Sequence, residues 1–380
     1  MRARGGGAAT VVVRAVVGVL AVAGVIAVLS SVLRTVVLPR AVPARLARIA
    51  FLSARSLLLL RLRLSGRTDY GTRDRVFALQ APLGLLAQML TWGMLILIAF
   101  AALFWSLIAS RIDGASVVRA IELAGSSMLT LGFDAPSGLG RQVAAFAAAG
   151  VGLSLFALVI TYLPTLYGAF SRREALVTKL SVRTGRPSSG PALLLRTWEL
   201  GRFDQLEEVW NGWEDWFIDV GESHTTFPQL SFFRSPHPYN HWVLAAESVL
   251  DGATLFITAC DVPGQSRSEL CLTAGVHGLI AIADFLGIPH HPPEPDAEIT
   301  LSQDKFTAAY RELEARGIPM RDDLARAWSD FRLTRARYEP LLTVLGGMTD
   351  APRSDWSSWS DTTPRHSPPL WRPGARSRPQ

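Results

Sequence analysis

Two apolar stretches, Leu83–Ala109 and Gln142–Phe170, contain no charged residue. Each exceeds the roughly 20 residues that an α-helix needs to cross ~30 Å of hydrocarbon. Backbone inside a bilayer finds no water to bond. Such a chain must therefore cross as helices, and any irregular segment at that depth must be enclosed by protein or line a water-filled path. A third apolar run, Val11–Leu38, carries Arg14 near its start and Arg34 near its end, both long enough to snorkel to the interface. Composition agrees, with 49% hydrophobic and only 18% charged residues. Ala21-Val22-Ala23 is similar to a signal-peptide cleavage site, but apolar residues continue from Gly24 to Leu38. An uncleaved anchor is the expectation there.

Between the two uncharged runs lies Ser116–Leu129, with apolar residues at Val117, Val118, Ile121, Leu123, Met128 and Leu129. As a helix it would be ~20 Å long, too short to cross and suited to entering and leaving on one side. Arg119 and Glu122, three apart, would pair near its surface. The segment Ser126–Phe133 then reads Ser-Ser-Met-Leu-Thr-Leu-Gly-Phe. Taken alone, Thr130-Leu131-Gly132-Phe133 would be a tight turn between spans, with Gly132 serving the turn.

In this setting the segment resembles the potassium-channel pore family, whose filter reads Thr-Val-Gly-Tyr-Gly or Thr-x-Gly-Phe-Gly followed by Asp. Thr130, Leu131, Gly132 and Phe133 match, and Asp134 stands where the second Gly is expected. The wider layout is similar to actinobacterial ion-channel proteins with one extra N-terminal span and a helical C-terminal region. The stretches Thr161–Pro164 and Phe170–Glu174 fit that group, and the resemblance covers roughly Leu83–Arg173. It implies four chains converging so that filter carbonyls replace the water around a K⁺ ion, with Thr130 adding its hydroxyl. Asp134 would place a ring of carboxylates at the outer mouth, concentrating cations without necessarily keeping K⁺ over Na⁺. No cofactor is implied beyond the permeant ion.

Arg residues set the expected orientation. Nine, from Arg40 to Arg75, lie between the first and second runs against Asp69 and Asp74, and Arg172, Arg173, Lys179, Arg183 and Arg186 follow the third. These loops are expected in the cytoplasm, which puts the filter and the N-terminus outside a multi-pass cell-membrane protein. The net charge of +6 is therefore read as membrane topology, and no nucleic-acid partner is expected. Ala44–Leu64 reads either as an interfacial helix on anionic lipid or as a linker that enforces topology.

In the third run Gly150 and Gly152 offer a gating hinge and Pro164 a kink, while the surrounding alanines make close packing an equal reading. The expected organisation is an N-terminal anchor (1–39), a basic linker (40–80), a pore module (81–171), a helical cytoplasmic domain (190–349) and a disordered tail (350–380). Candidate helices in that domain lie near 192–220, 239–260, 268–286, 302–316 and 321–346, bounded by Pro and Gly. Residues 270–288 are apolar enough to resemble a fourth span, but His277 and Asp284 favour a buried bundle helix. Trp210, Trp213, Trp216 and Phe217 read as bundle core.

Asp219, Glu222, His224, His237, His241 and the pair His290-His291 could form a metal or hydrolase site. Yet neither HExxH nor paired Cys ligands occur. No catalytic residue or metal site is expected. The fold class expected is an all-α membrane protein with three spans, a re-entrant pore helix and filter loop, and a cytoplasmic helical domain. Its expected function is a tetrameric potassium or monovalent-cation channel. The alternative is a non-conducting membrane-anchored sensor or scaffold.

Overall fold

A computed structural model describes residues 5–36, most of 53–108, and 114–359 apart from 135 and 295. These residues are helical or irregular, with one isolated antiparallel bridge between Cys260 and Met320. The chain divides into two compact units, residues 1–57 with 82–167 and residues 58–81 with 168–380.

In the first unit α1 (Gly5–Val36), α3 (Gln80–Ile108), α4 (Gly114–Met128) and the first part of α5 (Leu139–Thr184) share one core. α2 (Tyr70–Phe77) belongs to the second unit. Helix α4 supplies Ala120, Leu123, Ala124 and Met128, spaced as one helical face, while Arg119 and Glu122 stay exposed. Against them lie Trp92, Ile96, Phe100 and Phe104 of α3, and Ala144 and Ala148 of α5. Polar ties accompany this packing. Trp92 Nε1 donates to Ser31 Oγ at 3.4 Å, and Trp105 Nε1 to Ser116 Oγ at 3.1 Å. Helix α5 runs unbroken through Pro164 and extends well beyond the predicted end of the span at Phe170.

The second unit comprises α2, the end of α5, α6 (Gly190–Glu199), α7 (Leu206–Thr226), α8 (Trp242–Thr258), α9 (Ser266–Leu286), α10 (Gln303–Ala315), α11 (Leu324–Arg335) and α12 (Glu339–Thr349). Helix α8 is central, with every residue but Ile257 buried. Glycines set the closest crossings: Gly221 of α7 meets Gly278 of α9, and Gly190 meets Gly252 of α8. A side chain at Gly278 or Gly190 would collide with backbone. Helix α9 is long and apolar enough to cross a membrane, as are α1, α3 with α2, and α5. Its Cys271–Gly275–Leu279–Ile282 face nevertheless packs on α7 and α8, as a bundle helix does. The apolar helices together suggest a membrane protein.

Three expectations change in detail. The helix predicted at 192–220 breaks at Gly201, whose φ of 65° lies in the left-handed region. The one predicted at 321–346 breaks at Ala336–Tyr338, because Pro340 has no N–H and its ring clashes with a helical carbonyl four residues earlier. The tail predicted to start at 350 begins inside the core, where Trp356 and Trp359 are buried and Trp359 Nε1 donates to Ala351 O at 3.2 Å. The rest of that tail, 360–380, and the first half of the interfacial stretch, 44–52, lie outside the described residues.

Candidate functional site

The short helix α4 ends in a complete Schellman turn. Thr130 N–H donates to Ser127 O at 3.1 Å, and Leu131 N–H donates to Ser126 O at 2.9 Å. The residue that must turn left-handed in this motif is usually Gly. Here it is Thr130, with φ at 54°. A β-branched residue is strained in that region, so the conformation is held by its surroundings. Gly132 is left-handed too, at 72°. Among the described residues, the carbonyls of Thr130, Leu131, Gly132 and Phe133 accept no hydrogen bond. The side chains of Leu129, Leu131 and Phe133 are exposed, the last at 67%.

Asp134 is not a free carboxylate at the end of this loop. Its Oδ1 lies 2.8 Å from Arg119 Nη2, and Arg119 also faces Glu122 at 3.8 Å, so the expected i, i+3 pair is extended to a third member. The Asp134 N–H donates to Ser126 Oγ at 3.3 Å, while Oδ2 is buried without a partner. The charge expected at the mouth is thereby drawn back onto α4 and half neutralised.

The two candidate hinge glycines differ. A Cβ at Gly150 would meet open space, and Gly150 shares a face with the exposed residues Val143, Phe146, Leu153 and Ile160. A Cβ at Gly152 would fall far inside the van der Waals radius of the Met128 carbonyl oxygen. Gly152 is therefore where α5 approaches the end of α4, in line with Ala144 and Ala148 at four-residue intervals. Gly152→Val is expected to push α4 and α5 apart and destabilise the first unit, whereas Gly150→Ala should leave it unchanged. Thermal unfolding of the two variants in detergent, read side by side, checks this. Pro164 sits inside continuous helix, next to Thr165, whose Oγ1 donates to Thr161 O at 2.9 Å.

The histidines do not converge. His224 is buried, with Nε2 3.2 Å from Arg173 Nη1 and Nδ1 3.2 Å from Ser223 Oγ. His241 caps α8, its Nδ1 accepting from Val243 N–H at 3.3 Å. His290 pairs with Asp284 at 2.9 Å, and Asp219 with Arg172 at 3.3 Å. Among the described residues no group of three His, Cys, Asp or Glu side chains is placed to hold a metal.

Three buried charge clusters escape the linear reading. Arg173 is enclosed by Glu174, His224 and the carbonyls of Leu230 and Phe233, with Nη2 2.8 Å from Glu174 Oε1. Asp74, within the predicted basic linker, binds Arg234 at 2.5 Å, and Arg73 pairs with Asp350, so α2 is part of the helical unit. Arg335, wholly buried, reaches Glu339 at 2.7 Å, Asp251 at 2.9 Å and Glu247 at 3.3 Å.

One guanidinium cannot balance three carboxylates. Burial first, then the neighbouring Asp251, pushes Glu247 up to about 8 against the pull of Arg335, and burial raises Asp251 to about 6. Burial, then the nearby arginines, holds His224 and His241 well below their ordinary 6.5. The signs differ. Above pH 6.5 the folded protein still holds the Glu247 proton that the unfolded chain has lost, so stability falls towards pH 8. Below 6.5 the unfolded chain protonates both imidazoles first, which favours unfolding in acid, but the folded chain holds Glu247 and Asp251 protons that the unfolded chain lacks down to about 4.5 and 3.8, which opposes it. The slope below 6.5 is therefore shallow, and the second unit should lose roughly 1 kcal/mol between pH 6.5 and 8. Urea midpoints across pH 5–8 test it, and Glu247→Gln should flatten the fall above 6.5 and steepen the fall below it.

No family model, curated protein or solved structure matches the chain.

Proposed function

We propose that the chain assembles as a homotetramer around a cation-conducting pore, selective for K⁺ or less selective among monovalent cations. The observation that carries the reading is the loop after α4. A fifteen-residue helix, about 22 Å long and too short to cross, ends between two uncharged apolar runs in a turn with Thr130 and Gly132 left-handed, whose carbonyls accept no hydrogen bond among the described residues. Carbonyls of this kind replace the hydration shell of a cation. The C-terminal end of α4 adds the negative pole of its dipole beside them. The exposed apolar stripe of α5 offers the surface through which copies would meet. On this reading the filter comprises Thr130, Leu131, Gly132 and Phe133, while Asp134 and Arg119 together set the charge at the mouth. The protein would be multi-pass in the cell membrane, with the filter and the N-terminus outside and the helical domain in the cytoplasm.

The second reading is a non-conducting membrane-anchored scaffold. Asp134 favours it, since it has replaced a filter glycine and turned back onto Arg119. Cation flux through purified protein in liposomes, K⁺ against Na⁺, separates the two. Flux supports the pore, and the K⁺/Na⁺ ratio reports what Asp134 does to selection. A tetramer that passes neither ion at any pH or lipid composition sinks the channel reading.

A further inference from the structure

Twenty residues separate Arg14 from Arg34 in the continuous helix α1. At ~1.5 Å per residue the two residues stand about 30 Å apart along the helix axis, the thickness of the hydrocarbon layer. With α1 across a bilayer, each would lie at one headgroup level. Arg14 also opens onto a groove of about 610 Å³ between α1 and α3, lined by Val11, Val19, Val22, Leu103 and Leu107. Its Nε donates to the carbonyl of Ser106 at 2.9 Å, in the last turn of α3. Gly18 keeps the two helices close at this point, since a Cβ there would lie 3.0 Å from Ser106 Oγ. The Nε bond fixes the plane of the guanidinium. Nη1 and Nη2 are left over, and among the described residues no carboxylate pairs with Arg14. Among the described residues a fixed guanidinium thus keeps two donors without a partner at the end of an apolar groove.

We propose that this groove holds one anionic phospholipid, its phosphate on Arg14 Nη1 and Nη2 and one acyl chain along Val11–Val22 and Leu103–Leu107. Arg is suited to this because its planar fork bonds two phosphate oxygens at once. The proposal holds whether or not the pore conducts. The test is native mass spectrometry of the full chain, delipidated in detergent and then given phosphatidylglycerol or phosphatidylcholine vesicles. The expected result is one phosphatidylglycerol retained per chain in preference to phosphatidylcholine. Retention should fall about tenfold in Arg14→Gln and be unchanged in Arg34→Gln, the matched charge loss outside the groove. Val19→Trp, which fills the groove from an exposed position, should lower retention without touching the charge. Equal retention of the two lipids, or of phosphatidylglycerol by Arg14→Gln, would overturn the proposal. So would disulfide cross-linking of Val19→Cys between chains, which would make the occupant a second copy.

Discussion

Arg335→Met is expected to cost the helical unit about 3–5 kcal/mol, a large share of the 5–15 kcal/mol that holds a typical domain together. The side chain has no exposed surface, and each of its three nitrogens is engaged. Nε serves Glu339, Nη1 serves Asp251, and Nη2 divides between Glu247 and the carbonyl of Trp356 at 2.7 Å. Removing it leaves three carboxylates in the core of α8 and α12 with no cation. Protonation then relieves part of the cost, so the loss should be smaller at pH 6 than at pH 8. The tail should come away at the same time. Trp356 O loses its donor, and the Ser358 N–H bond to Glu247 Oε1, 2.7 Å long, loses the charge that anchors it. Tryptophan fluorescence during urea unfolding, compared at the two pH values, reads both effects. Neutralising the whole cluster tests the cause. The variant Glu247→Gln, Asp251→Asn, Glu339→Gln, Arg335→Met removes all three carboxylates with the cation and should recover most of the loss. If this quadruple variant is no more stable than Arg335→Met, the cost lies in packing and not in unpaired charge.

What the linear sequence reveals, and what it hides, follows from how far apart the interacting residues lie. The long apolar helices and the short helix between two of them are legible because an uncharged apolar run carries its own meaning: no partner has to be known. The Schellman turn at Thr130 is half legible. Gly132 and the Ser-rich end of α4 point to a turn there, but only the backbone shows Thr130 in the position Gly usually takes. The drawing-back of Asp134 is hidden, because Arg119 lies fifteen residues away and its nearer partner, Glu122, looked sufficient. The charge clusters are hidden more deeply. Arg335 finds Asp251 across 84 residues and Glu247 across 88. One signal was available: in the apolar run Trp242–Thr258 the sole ionisable side chains are Glu247 and Asp251, four apart on one face. Two carboxylates on a buried helix require a buried cation. The same logic applies to Asp74, an acid in an arginine-rich linker that is buried against Arg234.

Gly132→Val is expected to abolish cation flux while leaving helix content and oligomeric state unchanged. A Cβ built on Gly132 meets nothing within 4 Å, so the substitution introduces no collision. Its effect is conformational. At φ of 72° a residue with a Cβ costs roughly 1–2 kcal/mol, and a β-branched one more. The cheapest escape is rotation to negative φ, which turns the flanking peptide planes and swings the Leu131 and Gly132 carbonyls out of register. The hydrogen bonds that close α4 end at Leu131 N–H, one residue earlier, so the helix and its packing on Gly152 are spared. Gly132→Ala should be intermediate, because alanine enters the left-handed region with less strain than valine. Thr130→Gly tests the neighbouring position in the opposite sense, since it relieves strain there and should firm the helix end while removing the hydroxyl from the loop. The readout is K⁺ flux in liposomes beside circular dichroism and cross-linked oligomer size for each variant. Flux that survives Gly132→Val with the tetramer intact would mean that ions pass elsewhere than through the Thr130–Phe133 carbonyls. Flux lost together with the tetramer would mean that the loop holds the assembly together, and that its carbonyls bond between copies and not to an ion.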